Sequence, residues 1–361
     1  MGALNFQEEL ERYIVRGGCL VRQALGGVKC FDCGTNTGSD GLSYMKIAFL
    51  HAEKEFNDDF YQKLKAVLPK HDLLPWETKA EPPAEDFEVV VVMGKFTREQ
   101  MKTQPKLKLI QTASAGYDGI DVDAATELGI TVAFAPSGET GNAISVAEFA
   151  VLLILGTSRS LNQVIQLNKA NVPGISAALY GKSVCIIGLG EIGRLLAERL
   201  QPFGVKLSGT DDHPKEIPGN ITVFHTDQLK EAVANADHVV LCVRATKENE
   251  RLINTEVLAA MKKGVVLINI ARGSLIDEAA LLDALKSGHI AYAGLDVVKD
   301  EPVKADNPLL GLPQVLLTPH VAGTTDLTLR GMIEYVSRVV EDFAKGKLPE
   351  ALINKPDKPK S

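Results

Sequence analysis

Between Met45 and Ala133 the chain alternates short apolar runs with amphipathic stretches. Lys46-Ile47-Ala48-Phe49-Leu50 predicts a strand, and Phe56 to Val67 predicts a helix. Val89 to Val92 is a continuous β-branched run, the pattern of a strand buried on both faces. Thr97 is placed to cap a short helix. Leu107 to Gln111 predicts the next strand, Ala124 to Leu128 a helix, and Ile130 to Ala133 a further strand. Strands alternating with helices, without hairpin signals, predict a parallel sheet with helices on both faces.

Asn142 to Gln166 reads as one long helix, apolar almost all round at its start, with Asn171-Val172-Pro173-Gly174 as its breaker. Such a helix must be buried between domains or against a second subunit, and a homodimer built on it is expected. A second series of strands follows: Ser183 to Ile187, Val205 to Thr210, Val239 to Cys242, Val265 to Ile268, Ala291 to Leu295 and Val315 to Leu317. A helix runs from Asp277 to Leu285, and another beyond Thr324 to about Ala344 closes the chain against the first series. The fold class is therefore α/β, with two doubly wound parallel-sheet domains. The expected division is 45–141 with 320–348 as one domain and 142–319 as an inserted second one.

Both ends differ from this body. Residues 1–44 carry one short helical pattern (Phe6, Leu10, Tyr13, Ile14) and then a Gly-, Cys- and Asn-rich stretch. Cys30-Phe31-Asp32-Cys33, with Cys19 upstream, lacks a second ligand pair, so a poorly ordered extension and no metal site are expected. Residues 349–361 end in a charged, proline-bearing segment and are expected to be a flexible tail. At 361 residues the chain exceeds one ordinary domain, and 45% hydrophobic with 24% charged residues is a core-forming composition. A formal net charge of −7 at pH 7 argues against nucleic acid as the main partner. No apolar run approaches the length of a membrane span. Five cysteines make no disulfide framework in a chain this long, and Glu8, Glu9 and Glu11 stand where a signal peptide would be basic and then apolar. Cytoplasmic residence is the expectation.

Candidate chemistry begins where Ser183 to Ile187 runs into Gly188-Leu189-Gly190-Glu191-Ile192-Gly193, with a helical pattern directly behind it. Gly188 permits the sharp reversal, Gly190 lets a pyrophosphate approach the main chain, and Gly193 lets the helix pack closely on the strand. The phosphates would then lie on free amides at the helix N-terminus. Asp211 ends the next strand, about 20 residues on, where a carboxylate would grip a ribose diol. These residues predict a dinucleotide site with NAD preferred over NADP.

Three polar elements follow later strands. Arg272 stands after Val265 to Ile268, Asp296 to Pro302 after Ala291 to Leu295, and Thr318-Pro319-His320 after Val315 to Leu317. An arginine, carboxylates and a histidine thus emerge on the sheet edge where a nicotinamide would lie. Alcohol oxidation needs a hydride acceptor, a base for the hydroxyl proton and a cation for the carbonyl oxygen or a carboxylate. Arginine offers a planar fork for a carboxylate, and histidine a base that titrates near neutrality.

On these residues the sequence resembles the D-isomer-specific 2-hydroxyacid dehydrogenase family, from about Met45 to Leu348. Its motifs stand here, in order, as GLGEIG, NIARGSLIDE, GLDVVKDEP and TPHVAG. The resemblance implies a Rossmann NAD-binding domain inserted in a flavodoxin-like substrate domain, and a small 2-oxo or 2-hydroxy acid as partner. It implies Arg272 as binder of carboxylate and carbonyl, His320 as acid/base and Glu301 as its partner. Substrate contacts would come from Ser114, Ala115, Gly116, Asn142 and Arg272. Besides the three glycines and Asp211, cofactor contacts would come from Glu191 and Ile192, and from Cys242, Val243 and Arg244. Ile270, Ala271, Asp296, His320 and Gly323 complete that set.

Two departures stand out. The family's His-x-Pro after the fourth strand of the nucleotide domain reads Cys242-Val243-Arg244, which puts a new cation beside the dinucleotide. The tryptophan that many members carry before Gly181-Lys182 is absent, and the chain's single tryptophan is Trp76. The reading is an NAD-dependent oxidoreductase of the glyoxylate or hydroxypyruvate type. A phosphoglycerate dehydrogenase is the alternative, although that group carries an Arg-Ser run where Val91 and Val92 stand here. A corepressor-like NAD-binding protein on the same fold would not need the full Arg272, Glu301 and His320 set. Formate dehydrogenases pair their histidine with glutamine, against Glu301 in this chain.

Overall fold

The computed structural model describes residues 13–16, 19–22, 44–51, 55–166, 176–215 and 219–360. The chain divides into a short unit, Met1–Ser43, and a main unit, Tyr44–Ser361. In the short unit Tyr13–Arg16 and Cys19–Arg22 pair as antiparallel strands. Tyr13 and Ile14 are therefore extended and not helical as their spacing predicts; β-branched Ile14, Val15 and Val21 favour the strand. Cys30 and Cys33 lie outside the described residues.

The main unit holds two wholly parallel sheets. In the first, five strands run in the order Asp72–Glu77, Lys46–His51, Val89–Met93, Leu109–Thr112, Thr131–Ala133. Numbered along the chain this is 2-1-3-4-5, the flavodoxin-like order. Val89 to Val92 are at most 2% exposed, as a central parallel strand requires. The strand Asp72–Glu77 has no clear alternation and contains Pro75, which is tolerated because it lies at the sheet edge.

The second sheet has seven strands: Ile221–Phe224, Lys206–Thr210, Ser183–Ile187, His238–Leu241, Val265–Asn269, Ile290–Leu295, Val315–Leu317. The chain order 3-2-1-4-5-6-7 is that of a Rossmann domain extended by one strand. It reverses between Ser183–Ile187 and His238–Leu241, so the crevice beyond their carboxyl ends is where a ligand of such a sheet binds. Separate apolar clusters, one built on Val239, Leu267 and Leu281 and one on Ile186, Leu196 and Ile268, cover its two faces.

The long helix is shorter than its pattern predicts. It spans Asn142–Ser158, breaks at Arg159 and Ser160, and a second helix covers Leu161–Gln166. Ser160 takes a left-handed φ of 52°, and its hydroxyl donates to the Tyr292 hydroxyl at 2.8 Å. Thr157 and Ser158 turn their hydroxyls back onto the Leu153 and Ile154 carbonyls, which weakens the helix end. The breaker expected at Asn171 to Gly174 lies outside the described residues.

The last helix, Asp326–Ala344, packs on Glu55–Val67 and on Asn142–Ser158. Thr325 and Thr328 bond Ser145, at 2.8 and 3.1 Å. Beyond it residues 349–360 do not form the free tail expected from their composition. Leu352 bridges Ala133 antiparallel, Ile353 donates its amide to Val132 O at 2.8 Å, and Asn354 Oδ1 accepts the Val132 amide at 2.7 Å. Lys360 N reaches Gly129 O at 2.9 Å. The segment covers the open edge of the five-stranded sheet, a contact partner that composition does not reveal.

Candidate functional site

The glycine turn has the geometry of a phosphate cradle. Gly188 holds φ at 92°, and a Cβ there would sit 2.7 Å from the Val243 main chain. A Cβ on Gly193 would collide with the Gly188 carbonyl, so neither position admits a side chain. A Cβ on Gly190 would meet nothing within 4 Å, so the main chain there faces open space. The helix Glu191–Leu200 starts at Gly190 with no side chain capping its end. Its amides are thus presented to a ligand, and the turn fits a dinucleotide pyrophosphate.

Asp211 stands at the end of the neighbouring strand. Its Oδ2 accepts the Leu189 amide at 3.1 Å and its Oδ1 the His213 amide at 2.8 Å, so it also braces the turn. Glu191 points across the crevice and accepts from the Ser137 hydroxyl at 2.8 Å. A cleft of about 350 Å3 lies between these groups, lined among others by Ala115, Gly190, Glu191, Arg194, Asp211 and Arg244. The Cys242 thiol is pushed up to about 12 by burial and offers no reactive thiolate.

The three catalytic candidates leave adjacent strand ends. Asn269, wholly buried at the end of Val265–Asn269, accepts the Ala271 amide at 3.0 Å and donates to Arg272 O at 2.8 Å. This fixes the turn that carries Arg272. His320 has a left-handed φ of 55°, sparsely populated for a residue with a side chain. It is held there by Asp296, whose carbonyl accepts the His320 amide at 2.8 Å. The Asp296 carboxylate accepts from the Thr318 hydroxyl and from the Val321 and Ala322 amides. Asp296 is 1% exposed and its oxygens are largely committed to this loop, a bracing role that the sequence reading did not assign.

His320 Nδ1 lies 2.7 Å from Glu301 Oε2. Burial pushes the Glu301 carboxyl up. The hydrogen bonds from His320 and the Val298 amide, with the charges of His320 and Arg272, outweigh it and hold the carboxyl below its ordinary value. An ionised Glu301 can only accept, so Nδ1 carries the proton and Nε2 is left for the ligand.

The loop after Leu109–Thr112 faces this set. Ser114 Oγ bonds Gly116 O at 3.2 Å, and a Cβ on Gly116 would overlap Arg272 Nη2. Arg272 Nε donates to Asp118 Oδ2 at 3.0 Å. Arg244, foreseen as a cation beside the dinucleotide, donates from Nη1 to the Tyr117 hydroxyl at 2.9 Å. Its guanidinium lies 5.0 Å from the Tyr117 ring centre and 5.6 Å from that of Phe134.

The expected residues fall into two groups. Gly190, Glu191, Asp211, Arg244 and Ala115 share the cleft, while Arg272, Glu301 and His320 follow successive strand ends, with Arg272 against Gly116. Asn142 lies against Gly323 at the start of its helix, with its amide where a Cβ of Gly323 would be. Ile270 is 6% exposed and belongs to the core, and Ile192 packs against the same cluster. Sequence reasoning missed Asp118, Tyr117, Ser137 and Asn269. Asn269 carried a signal, since a polar residue ending a buried strand must have a partner, and Tyr117 and Asp118 directly follow the expected substrate loop Ser114 to Gly116. Among the described residues no group of three or more His, Cys, Asp or Glu is placed to hold a metal ion, and no helix is long and apolar enough to cross a membrane.

A family model described as "D-isomer specific 2-hydroxyacid dehydrogenase, NAD binding domain" matches residues 151–322. A D-3-phosphoglycerate dehydrogenase of Methanocaldococcus jannaschii is 38% identical over 283 residues, 76% of this chain and 53% of that protein. The chain thus spans about half the length of the phosphoglycerate dehydrogenases it resembles. A glyoxylate reductase of Thermococcus kodakarensis is 34% identical over 315 residues, 80% of this chain and 92% of that one. Among solved structures, a D-lactate dehydrogenase from Aquifex aeolicus, complexed with NAD and lactic acid, superposes with a TM-score of 0.74 at 30% identity. It covers 86% of this chain and 100% of its own.

Proposed function

Because the chain belongs to the D-isomer-specific 2-hydroxyacid dehydrogenase family, we propose that it interconverts a D-2-hydroxy acid and a 2-oxo acid. NAD is its cofactor. The observation that carries this reading is the His320–Glu301 pair at 2.7 Å, on the strand-end edge that also bears Arg272.

In that reading the Gly188–Gly193 turn would hold the pyrophosphate and Asp211 the adenosine ribose. Cys242 to Arg244, Ile270, Ala271 and Gly323 would hold the rest of the dinucleotide. When bound, NAD supplies or accepts the hydride. Arg272 binds the substrate carboxylate with its fork and polarises the carbonyl, and the amides of Ser114 to Gly116 take the other side of the carboxylate. Asn142 would stand beside the substrate at the helix start. His320 Nε2 takes the hydroxyl proton during oxidation and returns it to the carbonyl oxygen during reduction. Glu301 keeps the ring in the tautomer that makes this possible and stabilises its cation.

Glyoxylate or hydroxypyruvate is the substrate class favoured, in line with the glyoxylate reductase relatives and with the lack of an arginine at Val91 and Val92, both buried in their strand. Phosphoglycerate is the second reading, supported by the identity to phosphoglycerate dehydrogenases. A corepressor-like protein would leave the His320–Glu301 pair without use. A panel of small 2-oxo acids with NADH, followed at the nicotinamide absorbance band, tests these together. Oxidation of NADH with glyoxylate or hydroxypyruvate supports the first, 3-phosphohydroxypyruvate alone the second, and NADH binding without turnover the third.

Leu152 on the Asn142–Ser158 helix is 49% exposed, and Val164, Ile165 and Tyr180 after it are 49 to 81% exposed, which supports a homodimer through this region. Light scattering at micromolar concentration is the test, and a monomer would refute it. Residence in the cytoplasm belongs to the same proposal and is read by fractionation.

A further inference from the structure

The segment Gly116-Tyr117-Asp118 is gripped from the seven-stranded half by two arginines at once. Arg272 donates from Nε to Asp118 Oδ2 at 3.0 Å and lays Nη2 against Gly116. Arg244 donates to the Tyr117 hydroxyl at 2.9 Å and covers that ring. Tyr117 in turn lies 6.1 Å from Phe134, centre to centre, on the next strand end. Neither Asp118 nor Tyr117 is an expected substrate or cofactor contact.

A guanidinium has five donors in one plane. In Arg272 the Nε donor is taken by Asp118, and one Nη1 donor by the Ala271 carbonyl at 2.8 Å. Two bonds, one at Nε and one at Nη1, fix its rotation about the side-chain axis. Nη2 then lies against Gly116, in the place a side chain there would take, beside the loop proposed to bind the carboxylate. The side chain is 35% exposed, and without Asp118 only a neighbouring carbonyl would orient it. As an ion pair this contact is worth little in exposed surroundings, so its effect is expected in orientation and not in stability.

We propose that Asp118 is a positioning residue for substrate binding: it sets the plane of the Arg272 guanidinium. Arg244, through Tyr117, holds the same loop in register with it. Binding of the substrate carboxylate thus depends on the Nη1 and Nη2 donors that Asp118 and Ala271 leave free, with Nη2 held against Gly116. The inference rests on the proposed role of Arg272 as the substrate's carboxylate binder.

The test compares KM for the best 2-oxo acid, kcat, the NADH dissociation constant from nicotinamide fluorescence, and melting temperature. Asp118→Ala is expected to raise KM about tenfold or more with a much smaller change in kcat, the scale of a misoriented binding group. NADH affinity and melting temperature should stay near wild type. Asp118→Asn keeps an acceptor for Nε and should recover most of the KM. Tyr117→Phe removes only the hydroxyl and should raise KM by a few-fold, and with Asp118→Ala the two effects should be less than multiplicative, because both act on one loop. If the alanine variant fails to fold, Asp118→Ser takes its place, since it also cannot reach Nε. A wild-type KM in Asp118→Ala, or an Asp118→Asn as impaired as alanine, overturns the proposal. Arg272→Lys separates the two readings: if it raises KM while Asp118→Ala does not, only the positioning role is lost. If Arg272→Lys also leaves KM unchanged, the role of Arg272 itself is wrong.

Discussion

The His320 amide donates to the Asp296 carbonyl at 2.8 Å, while the Asp296 carboxylate binds the amides of Val321 and Ala322 at 2.9 Å each. One buried aspartate therefore holds three consecutive residues, the first of them in a left-handed conformation. Replacing Asp296 by Asn keeps its shape but turns one acceptor into a donor that faces an amide. We expect a loss of about 1–3 kcal/mol in stability, the cost of an unsatisfied buried group. A fall in kcat should accompany it as His320 relaxes out of place. Thermal unfolding and turnover of Asp296→Asn check both, and an unchanged kcat at lowered stability would confine Asp296 to a structural role.

Glu301 is held below the ordinary carboxyl value of 4.5. A depressed folded pKa means that its pairing stabilises the fold fully above the unfolded pKa and loses that effect as pH falls through the folded one. The stability difference between wild type and Glu301→Gln should therefore be larger at neutral pH than at pH 3. Urea titrations of both proteins across that range measure it. A pH-independent difference would mean that the carboxylate is not the partner of His320 in solution.

Replacing His320 by Ala should lower turnover about a hundredfold or more in both directions, the scale of a positioned proton donor. NADH affinity, measured by fluorescence, should change far less. A nearly active His320→Ala would remove the proposed acid/base.

His238 is a buried, non-catalytic histidine. It is 2% exposed, its Nε2 lies 2.8 Å from Ser158 Oγ, and burial pushes its pKa down to about 4, with the Asp237 charge opposing only in part. The folded state resists protonation that the unfolded state accepts from about pH 6.5 downward. Stability should thus fall as pH drops from about 6.5 to about 4 and then level off, by on the order of 3 kcal/mol. Asp237, held down to about 2 mainly by Lys262 and Ser183 against burial, loses its own contribution only in stronger acid. His238→Gln, which can still bond Ser158, should flatten the window between pH 6.5 and 4. A slope that persists there in His238→Gln assigns it to other groups.

Asp211 should decide cofactor choice, since a 2′-phosphate beside it is repelled by about 1–4 kcal/mol, a tenfold to thousandfold preference for NAD. Asp211→Ser should narrow the ratio of kcat/KM for NADH over NADPH, while NADH itself binds less well because the Leu189 amide loses its acceptor. Equal efficiency with NADPH in the wild type would contradict this and direct attention to Arg244.

Much of the architecture was legible in the sequence because its signals are local. The β-branched run at Val89 to Val92, the glycine turn at Gly188 to Gly193, and the residues following each buried strand report on themselves. The two unforeseen strands of the main unit, Asp72–Glu77 and Ile221–Phe224, are both at sheet edges, where burial is incomplete and the pattern fades. The helix break at Ser160 depends on Tyr292, more than a hundred residues away. Arg272, Glu301 and His320 could be named from strand ends and motif spacing. Asp118 and Tyr117 could not, because their importance lies in which arginine of the other sheet reaches them.

Asn354 accepts from Val132 across a separation of 222 residues, and the last helix that braces the five-stranded half begins only at Asp326. All seven strands of the other sheet lie between Ser183 and Leu317. On the ribosome, the half that carries the glycine turn can therefore finish its sheet while the half begun first still waits for its closing helix and its edge cover. Contacts of such long range form late and slowly. The half whose first strand is made earliest is thus the one whose contact partners are made last.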